Sequence, residues 1–288
     1  MFIWKKYTQI LLPQQVKRGG CAIIIFLMAY EVQVCSMENN GLGTKAIAMA
    51  NAFVAVSDDC WGIRYNPAGL HALRDVQCSV FIVPGQFGMQ ELATRALSAV
   101  IPLSFATMGI DAVKFGYDLY SETTIGLACS TKLDENLAAG VNVEYDRIDI
   151  ARYGAAAAIL LHCGILVQLS ENIRIGFSVH NVTAATLGMT GEKLPQVSSL
   201  GICLTPFAGF QMPIEIEKDI HFPASIKLGI EQSFYSTIAL RAGIANNPDK
   251  YSIGCSFRYT WIEFGYAGYS HPDLGWTNQI DLTFGWAR

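Results

Sequence analysis

The residues of this chain that could do chemistry are its cysteines, its histidines and one pair of adjacent aspartates. The sequence holds eight cysteines and five histidines. No C-x-x-C pair, H-E-x-x-H helix or G-x-S-x-G turn is present, so the usual zinc and nucleophile signatures are missing. A phosphate-binding loop and a dinucleotide fingerprint are missing too. We therefore predict a protein that is not an enzyme and has no catalytic residue, metal or cofactor.

Asp58 and Asp59 form the candidate acidic site. Two adjacent carboxylates could hold a cation, but they could also accept hydrogen bonds from turn amides or pair with Arg64. Because they follow directly on a predicted helix, we favour the structural role. The run Asn66-Pro67-Ala68-Gly69 comes next and predicts a turn, since proline fixes φ and glycine accepts unusual φ values.

The composition is that of a chain that prefers an apolar environment. Of 288 residues, 51% are hydrophobic and 15% are charged, and the mean hydropathy is +0.30. Average globular proteins carry about 25% charged residues. Disordered chains are rich in charge and poor in apolar residues, and because this chain has the opposite composition, disorder is excluded. The net charge of -4 provides no basic surface for a nucleic acid.

Residues 1–36 are predicted to be a cleaved signal peptide. Basic residues precede the apolar run CAIIIFLMAYEVQV, and small residues up to Ser36 suit a cleavage site. A membrane anchor is the alternative, although the run is short and contains Glu31. The prediction implies export by the general secretory route and removes Cys21 and Cys35. We expect the other six cysteines to be free, packed thiols, with disulfides as the alternative.

Alternation of apolar with small or polar residues dominates residues 76–288. In 251–259, for example, Ile253 and Phe257 alternate with Ser252 and Ser256. Period-two patterns over about ten residues predict transmembrane strands, and a chain without spanning helices must close such strands into a barrel. We count fourteen such segments and predict an all-β, antiparallel transmembrane barrel. A soluble β-sandwich is the alternative, and the alanine-rich stretch 155–158 is also compatible with a helix.

Alternation also predicts which polar residues face the lumen, where a buried charge needs a partner or water. The small residues on the same face leave room for something inside. Aromatic residues near strand ends, including Tyr251, Tyr269 and Trp276, suit interfacial girdles. The predicted lumen-facing charges are Glu144, Arg174, Lys227, Glu231, Arg258 and Glu263.

Residues 37–75 differ from the rest of the chain. The stretch 44–56 places Ala46, Ala50, Phe53 and Val54 at helical spacing behind Thr44, which can cap a helix. The segment is too short to span a bilayer, and its apolar face must be buried. Because larger barrels are commonly plugged, we predict a helical hatch in the lumen. Packing on a soluble sheet is the alternative.

The two ends of the chain resemble one superfamily of barrels. The run GTKAIAMANAFVAVSDDCWGIRYNPAGL resembles the N-terminal signature of FadL-like outer-membrane proteins, most of all the PorV/PorQ branch. The run YAGYSHPDLGWTNQIDLTFGW resembles the ending of that branch. Together these runs cover about fifty residues, and the barrel between them matches only in pattern. The chain is short for the superfamily, ends without a terminal aromatic residue and is unusually rich in cysteine.

The resemblance implies a bacterial outer-membrane barrel with the hatch inside, in contact with outer-membrane lipid. It implies one of two functions. A PorV/PorQ-like protein would serve type IX secretion and contact secretion-system proteins or secreted cargo. A FadL-like protein would pass long-chain fatty acids or other hydrophobic small molecules. Short loops, which leave little surface for ligand capture, make the secretion role our first expectation.

Overall fold

A computed structural model describes residues 41–188 and 191–286 of the chain. The predicted signal peptide and the start of the hatch segment, up to residue 40, lie outside the described residues. Among the residues that are described, no helix has the length and apolar composition needed to cross a bilayer.

Fourteen antiparallel strands form one closed barrel, which confirms the predicted fold class. Consecutive barrel strands pair with each other, and the first pairs with the last through Val80 and Leu282. The barrel strands are β1 Val76–Val83, β2 Thr94–Pro102, β3 Thr107–Tyr117, β4 Tyr120–Asp134, β5 Leu137–Ile150, β6 Gly154–Ser170, β7 Ile173–His180, β10 Val197–Leu204, β11 Phe210–Asp219, β12 Ser225–Phe234, β13 Ile238–Ala245, β14 Lys250–Tyr259, β15 Ile262–His271 and β16 Gly275–Trp286.

We call the end of the barrel that holds the start of β1 and the end of β16 the terminal rim, and the opposite end the loop rim. At the loop rim, residues 181–196 connect β7 to β10. This connection contains the two-stranded sheet β8 Thr186–Leu187 and β9 Glu192–Lys193. Strands β4 to β6 are the longest in the wall, and β6 contains residues 155–158. The possible helix at 155–158 is therefore wrong, because the β5 ladder holds these alanines in extended conformation.

The two faces of the wall follow the alternation in the sequence. In β14, Ile253 is 54% exposed on the outside, whereas Ser252 is 2% exposed on the inside. An apolar exterior is stable because lipid replaces water there. Tyr269 corrects the predicted girdle: its ring is buried on the inner face, packed edge-on against Phe87. Its odd-numbered position in β15 places it inside with Gly265 and Ala267.

The predicted helix 44–56 is mostly absent. Helix α1 covers only Thr44–Ala48. Ala50 and Asn51 then adopt positive φ values of 53° and 62°, which no α-helix accommodates. Turns and two 3₁₀ helices, Cys60–Arg64 and Pro67–Ala72, complete the segment, and a third 3₁₀ helix, Gln90–Leu92, follows β1. The apolar spacing does not predict the conformation here, because the segment is buried on all sides and no single face of it has to be apolar.

The lipid-facing side of β14 predicts where a charge is tolerated. We expect Ile253→Lys to reduce assembly of the barrel, because a lysine on the lipid face costs free energy that rises with depth, up to about 2–4 kcal/mol at the bilayer midplane. Tyr259→Lys, on the same face at the strand end, is the matched control and should cost at most about 1 kcal/mol. The heat-modifiable band of each variant in the membrane fraction measures assembly. Equal yields would contradict the face assignment.

Candidate functional site

Residues 41–75, which we call the plug, lie inside the barrel. Their largest side chains are fully buried, among them Trp61, Phe53, Ile47 and Met49. Trp61 packs edge-on against Phe81 of β1 and donates its indole N–H to Ser79 at 3.2 Å. Phe53 packs against Tyr65 within the plug. The chain's own segment thus occupies the centre of the lumen.

Glycines on the inner face of the wall let the plug approach closely. A Cβ built on Gly140 would lie 2.4 Å from the backbone nitrogen of Ala68, and one on Gly243 would lie 2.4 Å from the carbonyl carbon of Met49. Both contacts are with backbone, so no rotamer change relieves them. The other inner-wall glycines whose Cβ would meet the plug within 3.4 Å are Gly109, Gly164, Gly176, Gly201, Gly229, Gly254 and Gly265. The small residues seen in the sequence therefore match the shape of the plug.

The turn Asn66-Pro67-Ala68-Gly69 joins the plug to the wall. Asn66 is fully buried and caps the second 3₁₀ helix, its Oδ1 accepting from the amide of Ala68 at 3.1 Å. Its Nδ2 donates to the carbonyl of Val54 in the plug and to that of Ile165 in β6, at 2.8 and 3.0 Å. Gly69 is needed because a Cβ there would lie 2.2 Å from the carbonyl oxygen of Ser57.

Asp58 and Asp59 have separate partners. Asp58 pairs with Lys45 at 2.9 Å and not with Arg64, which corrects that alternative. Asp59 accepts from the amide of Trp61 at 2.8 Å and so caps the first 3₁₀ helix. Burial, and then the negative charge of Asp58, raise the pKa of Asp59 to about 7. Among the described residues, no three of the His, Cys, Asp and Glu side chains are grouped to hold a metal ion.

Arg64 pairs with the part of the inner wall formed by β3 and β5. It binds Asp111 of β3 at 2.5 Å and Glu144 of β5 at 2.6 Å. His162 of β6 lies 3.4 Å from the same Glu144 carboxylate. Asp111 and Glu144 are neighbours across Gly126, which leaves space for both to converge on one guanidinium. Burying these charges is tolerable only because they are paired.

The six predicted lumen-facing charges all lie on the inner face. Arg174 donates to the carbonyl of Ala55 at 2.6 Å, and Glu231 lies 3.4 Å from Lys45, so both contact the plug, as Glu144 does. Lys227 instead neutralises wall carboxylates, and Arg258 pairs with Glu263 at the terminal rim. The pairs are Lys227 with Glu215 and Glu217, Glu231 with Arg241, and Arg258 with Glu263.

Two further wall carboxylates hold the plug backbone, and sequence reasoning missed them. Glu215 accepts from the amides of Phe53 and Val54, both at 2.8 Å. Asp281 accepts from the amide of Thr44 at 2.8 Å. Both stand at inward positions of the alternation, which was the available signal. Nothing in the sequence showed that they accept from backbone rather than pair with a cation.

A charged cavity opens at the terminal rim beneath the plug. Its volume is about 390 Å³. Thr44, Lys45, Asp58 and Asp59 come from the plug, and the remaining lining is almost entirely polar wall, including Arg241. Such a surface is a poor environment for an apolar molecule, because the ions would lose water without gaining partners.

An apolar cluster lies at the other end of the lumen, at the loop rim. Ile148 of β5 and Leu160 of β6 face inward there and are covered by Leu187 and Leu194 from the connection 181–196. Asn181 holds this connection in place. Fully buried, it donates to the carbonyls of Leu194 and Pro195 and accepts from the amide of Ala185. The cluster is thus a preformed apolar surface above the polar interior.

The ladder between β11 and β12 is interrupted within the strands, whereas the irregularities of the β4–β5 and β6–β7 ladders lie at strand ends. Paired residues stop at Gln211 with Glu231 and resume at Ile214 with Leu228. Pro213 lies in the interruption, where it has no amide hydrogen to donate. Opposite is Gly229, and a Cβ on Gly229 would lie 2.6 Å from Met49 Cβ. The flexible side chain of Met49 in the plug therefore lies on the inner side of the interrupted part of this ladder.

No protein-family model matches the chain, and no curated protein matches it significantly. Solved structures do. The monoaromatic hydrocarbon channel CymD matches with a TM-score of 0.65 at 13% identity, over 86% of this chain and 98% of that one. The Pseudomonas putida toluene transporter TodX matches with 0.65 at 12%, over 87% and 100%. A Pseudomonas aeruginosa FadL homologue matches with 0.58 at 12%, over 84% and 98%. These likenesses establish a FadL-like barrel fold and do not support the PorV/PorQ branch.

The fit between the plug and the wall predicts the effect of adding one methyl group. We expect Gly140→Ala to lower the free energy of unfolding by about 1–3 kcal/mol, because the new Cβ overlaps plug backbone. Gly285→Ala is the matched control, since a Cβ there meets nothing within 4 Å. Urea unfolding in detergent measures both. A normal Gly140→Ala protein would disprove the close fit.

Asp59 predicts a pH dependence. An unfolded aspartate titrates near 4, whereas the pKa of folded Asp59 is about 7. The folded state therefore holds this proton more tightly, so the stability it contributes is present below about pH 4 and is lost as the pH rises through 7. Asp59→Asn keeps the Oδ1 acceptor for Trp61 and removes the titration. The stability of the wild type minus that of the variant should fall from pH 4.5 to 8; a constant difference would refute the assignment.

Proposed function

We propose that the protein is a passive outer-membrane channel for small hydrophobic molecules. The plugged lumen is the observation that carries this proposal. With Trp61 and Phe53 buried at its centre and charged pairs around them, the barrel is a poor route for water-soluble solutes. A barrel that spans the membrane while its aqueous path is filled is suited to solutes that travel along apolar surface.

The fold supports this class of solute. The similar structures are named as a monoaromatic hydrocarbon channel and a toluene transporter. We infer a related substrate class here, namely small apolar molecules, with long-chain fatty acids as the other FadL-like possibility. The proposed location is the bacterial outer membrane, reached through the predicted signal peptide. The mechanism needs no catalytic residue and no cofactor.

We propose that the apolar cluster at the loop rim receives the solute. Leu160 and Ile148 offer an apolar wall, and Leu187 and Leu194 form a cover that belongs to a connection rather than to the barrel. Asn181 and a few backbone hydrogen bonds, such as that from the Gly188 amide to the carbonyl of Ala157 in β6 at 3.3 Å, hold this cover. They lie outside the barrel ladders, so the cover can yield without disturbing those ladders. Burial of apolar surface, at about 25 cal/mol per Å², drives binding at such a site.

For release, we propose the seam between β11 and β12. The charged cavity at the terminal rim disfavours an axial exit for an apolar solute. The interrupted ladder at Pro213 leaves fewer backbone hydrogen bonds to break than a complete seam does. Met49 behind it is unbranched and adapts its shape to apolar neighbours. The solute would then leave sideways into the apolar layer of the membrane.

The type IX secretion role remains a hypothesis that rests on sequence resemblance alone. A secretion component should carry stoichiometric protein partners or cargo when it is purified in mild detergent from its native membrane. A channel should be purified without them. Mass spectrometry of the purified complex distinguishes the two functions.

Uptake measurements test the proposed function. Cells that lack such a channel should take up radiolabelled toluene faster when they produce this protein, while the uptake of a small sugar stays unchanged. Replacing both Leu187 and Leu194 by asparagine should slow toluene uptake about tenfold, because about 1.4 kcal/mol of apolar binding is lost. Phe207→Asn, an exposed residue in the turn 205–209 at the other rim, is the control. Toluene uptake equal to that of cells without the protein would reject the proposal.

A further inference from the structure

A polar group stands on the lipid-facing surface of the wall near the loop rim. In β16, Trp276, Asn278 and Ile280 point outward while Thr277 and Gln279 are buried inside. Tyr266 of β15 lies beside them on the same outer face. We call Tyr266, Gly268, Trp276 and Asn278 the exterior clasp. None of these residues is used by the proposed transport path.

Hydrogen bonds determine the orientation of the Asn278 amide. The indole Nε1 of Trp276 lies 2.9 Å from Asn278 Oδ1, and the hydroxyl of Tyr266 lies 2.6 Å from the same atom. Because an indole nitrogen can only donate, the atom facing it must be the amide oxygen. The Nδ2 group, with two hydrogens, therefore points elsewhere. Within the described residues it makes no hydrogen bond.

Gly268 holds the clasp in this arrangement. A Cβ built on Gly268 would lie 2.4 Å from Cζ2 and 2.5 Å from Nε1 of Trp276. The indole thus lies directly against the glycine backbone, in the position from which it reaches Asn278. Gly268 is itself paired with Asn278 across the two strands. The unpaired amide is presented by a rigid support, as a binding group should be.

A donor on a membrane-facing surface requires an acceptor, since leaving it without one costs several kcal/mol in lipid. The clasp lies close to the loop rim, beside the exposed rings of Trp276 and Tyr251, where aromatic side chains mark the membrane interface. Further along β16, away from the loop rim, Ile280 and Leu282 continue the apolar surface. We propose that the clasp binds a diacyl lipid: Asn278 Nδ2 donates to an acyl-ester carbonyl, and the acyl chain lies along Ile280 and Leu282.

Lipid retention by the full-length protein tests this site. The protein is reconstituted in nanodiscs of diacyl phosphatidylethanolamine or of its dialkyl ether analogue, which lacks the ester carbonyls, and bound lipid is counted by native mass spectrometry after release. The wild type should retain one diacyl molecule and should not retain the ether lipid. Asn278→Asp keeps the acceptor for Trp276 and Tyr266 but removes the donor, so retention should fall about tenfold.

Two further variants complete the test. Thr131→Val removes a half-buried polar group on β4 and should retain lipid as the wild type does. Gly268→Ala leaves Asn278 intact but displaces the indole of Trp276, so it should lose the bound lipid. This variant takes the place of Asn278→Asp in the test if Asn278→Asp fails to assemble. Retention of the ether lipid would overturn the proposal, because a headgroup would then be the acceptor. Equal retention by the wild type and Asn278→Asp would overturn it as well.

Discussion

Backbone-to-backbone contact between the plug and the inner wall is the constraint on which the rest of this structure depends. Lipid forces the strands to close into a barrel, because every backbone group must find a partner. Closing fourteen strands leaves a lumen wider than side chains alone can fill. Here residues 41–75 fill it, and the fit requires glycine at wall positions such as Gly140 and Gly243, where any side chain would overlap the plug.

Charge pairing makes the same interface specific. Lys45 and Arg64 of the plug reach carboxylates in different parts of the wall, and Glu215 holds two plug amides. A shift of the plug would leave several of these groups buried without partners, and each would cost a few kcal/mol. We therefore regard the plug as a fixed inner layer of the barrel and not as a segment that moves along the lumen. This is why the proposed route for a solute runs over the apolar cluster and through the wall, leaving the plug in place.

Alternation predicted the barrel well because lipid acts on one side of every strand. An exterior residue such as Ile253 must be apolar, so the period of two is enforced along the whole chain. The same rule placed Arg174 and Lys227 inside, where both are paired or hydrogen-bonded. Helical spacing, by contrast, failed for segment 44–56, because a segment buried on all sides shows no single apolar face and its turns depend on left-handed residues such as Asn51.

The sequence by itself determined the fold class, the number of strands and the inner face of the wall, since each of these follows from local periodicity and from the absence of a spanning helix. Only the tertiary structure decided which charged groups pair with each other and where individual side chains pack. Asp58 pairs with Lys45 while Arg64 pairs with Asp111 of β3, and Tyr269 turns inward rather than joining a girdle. Such choices depend on the distance between groups far apart in the chain, which barrel closure sets and which no local pattern records.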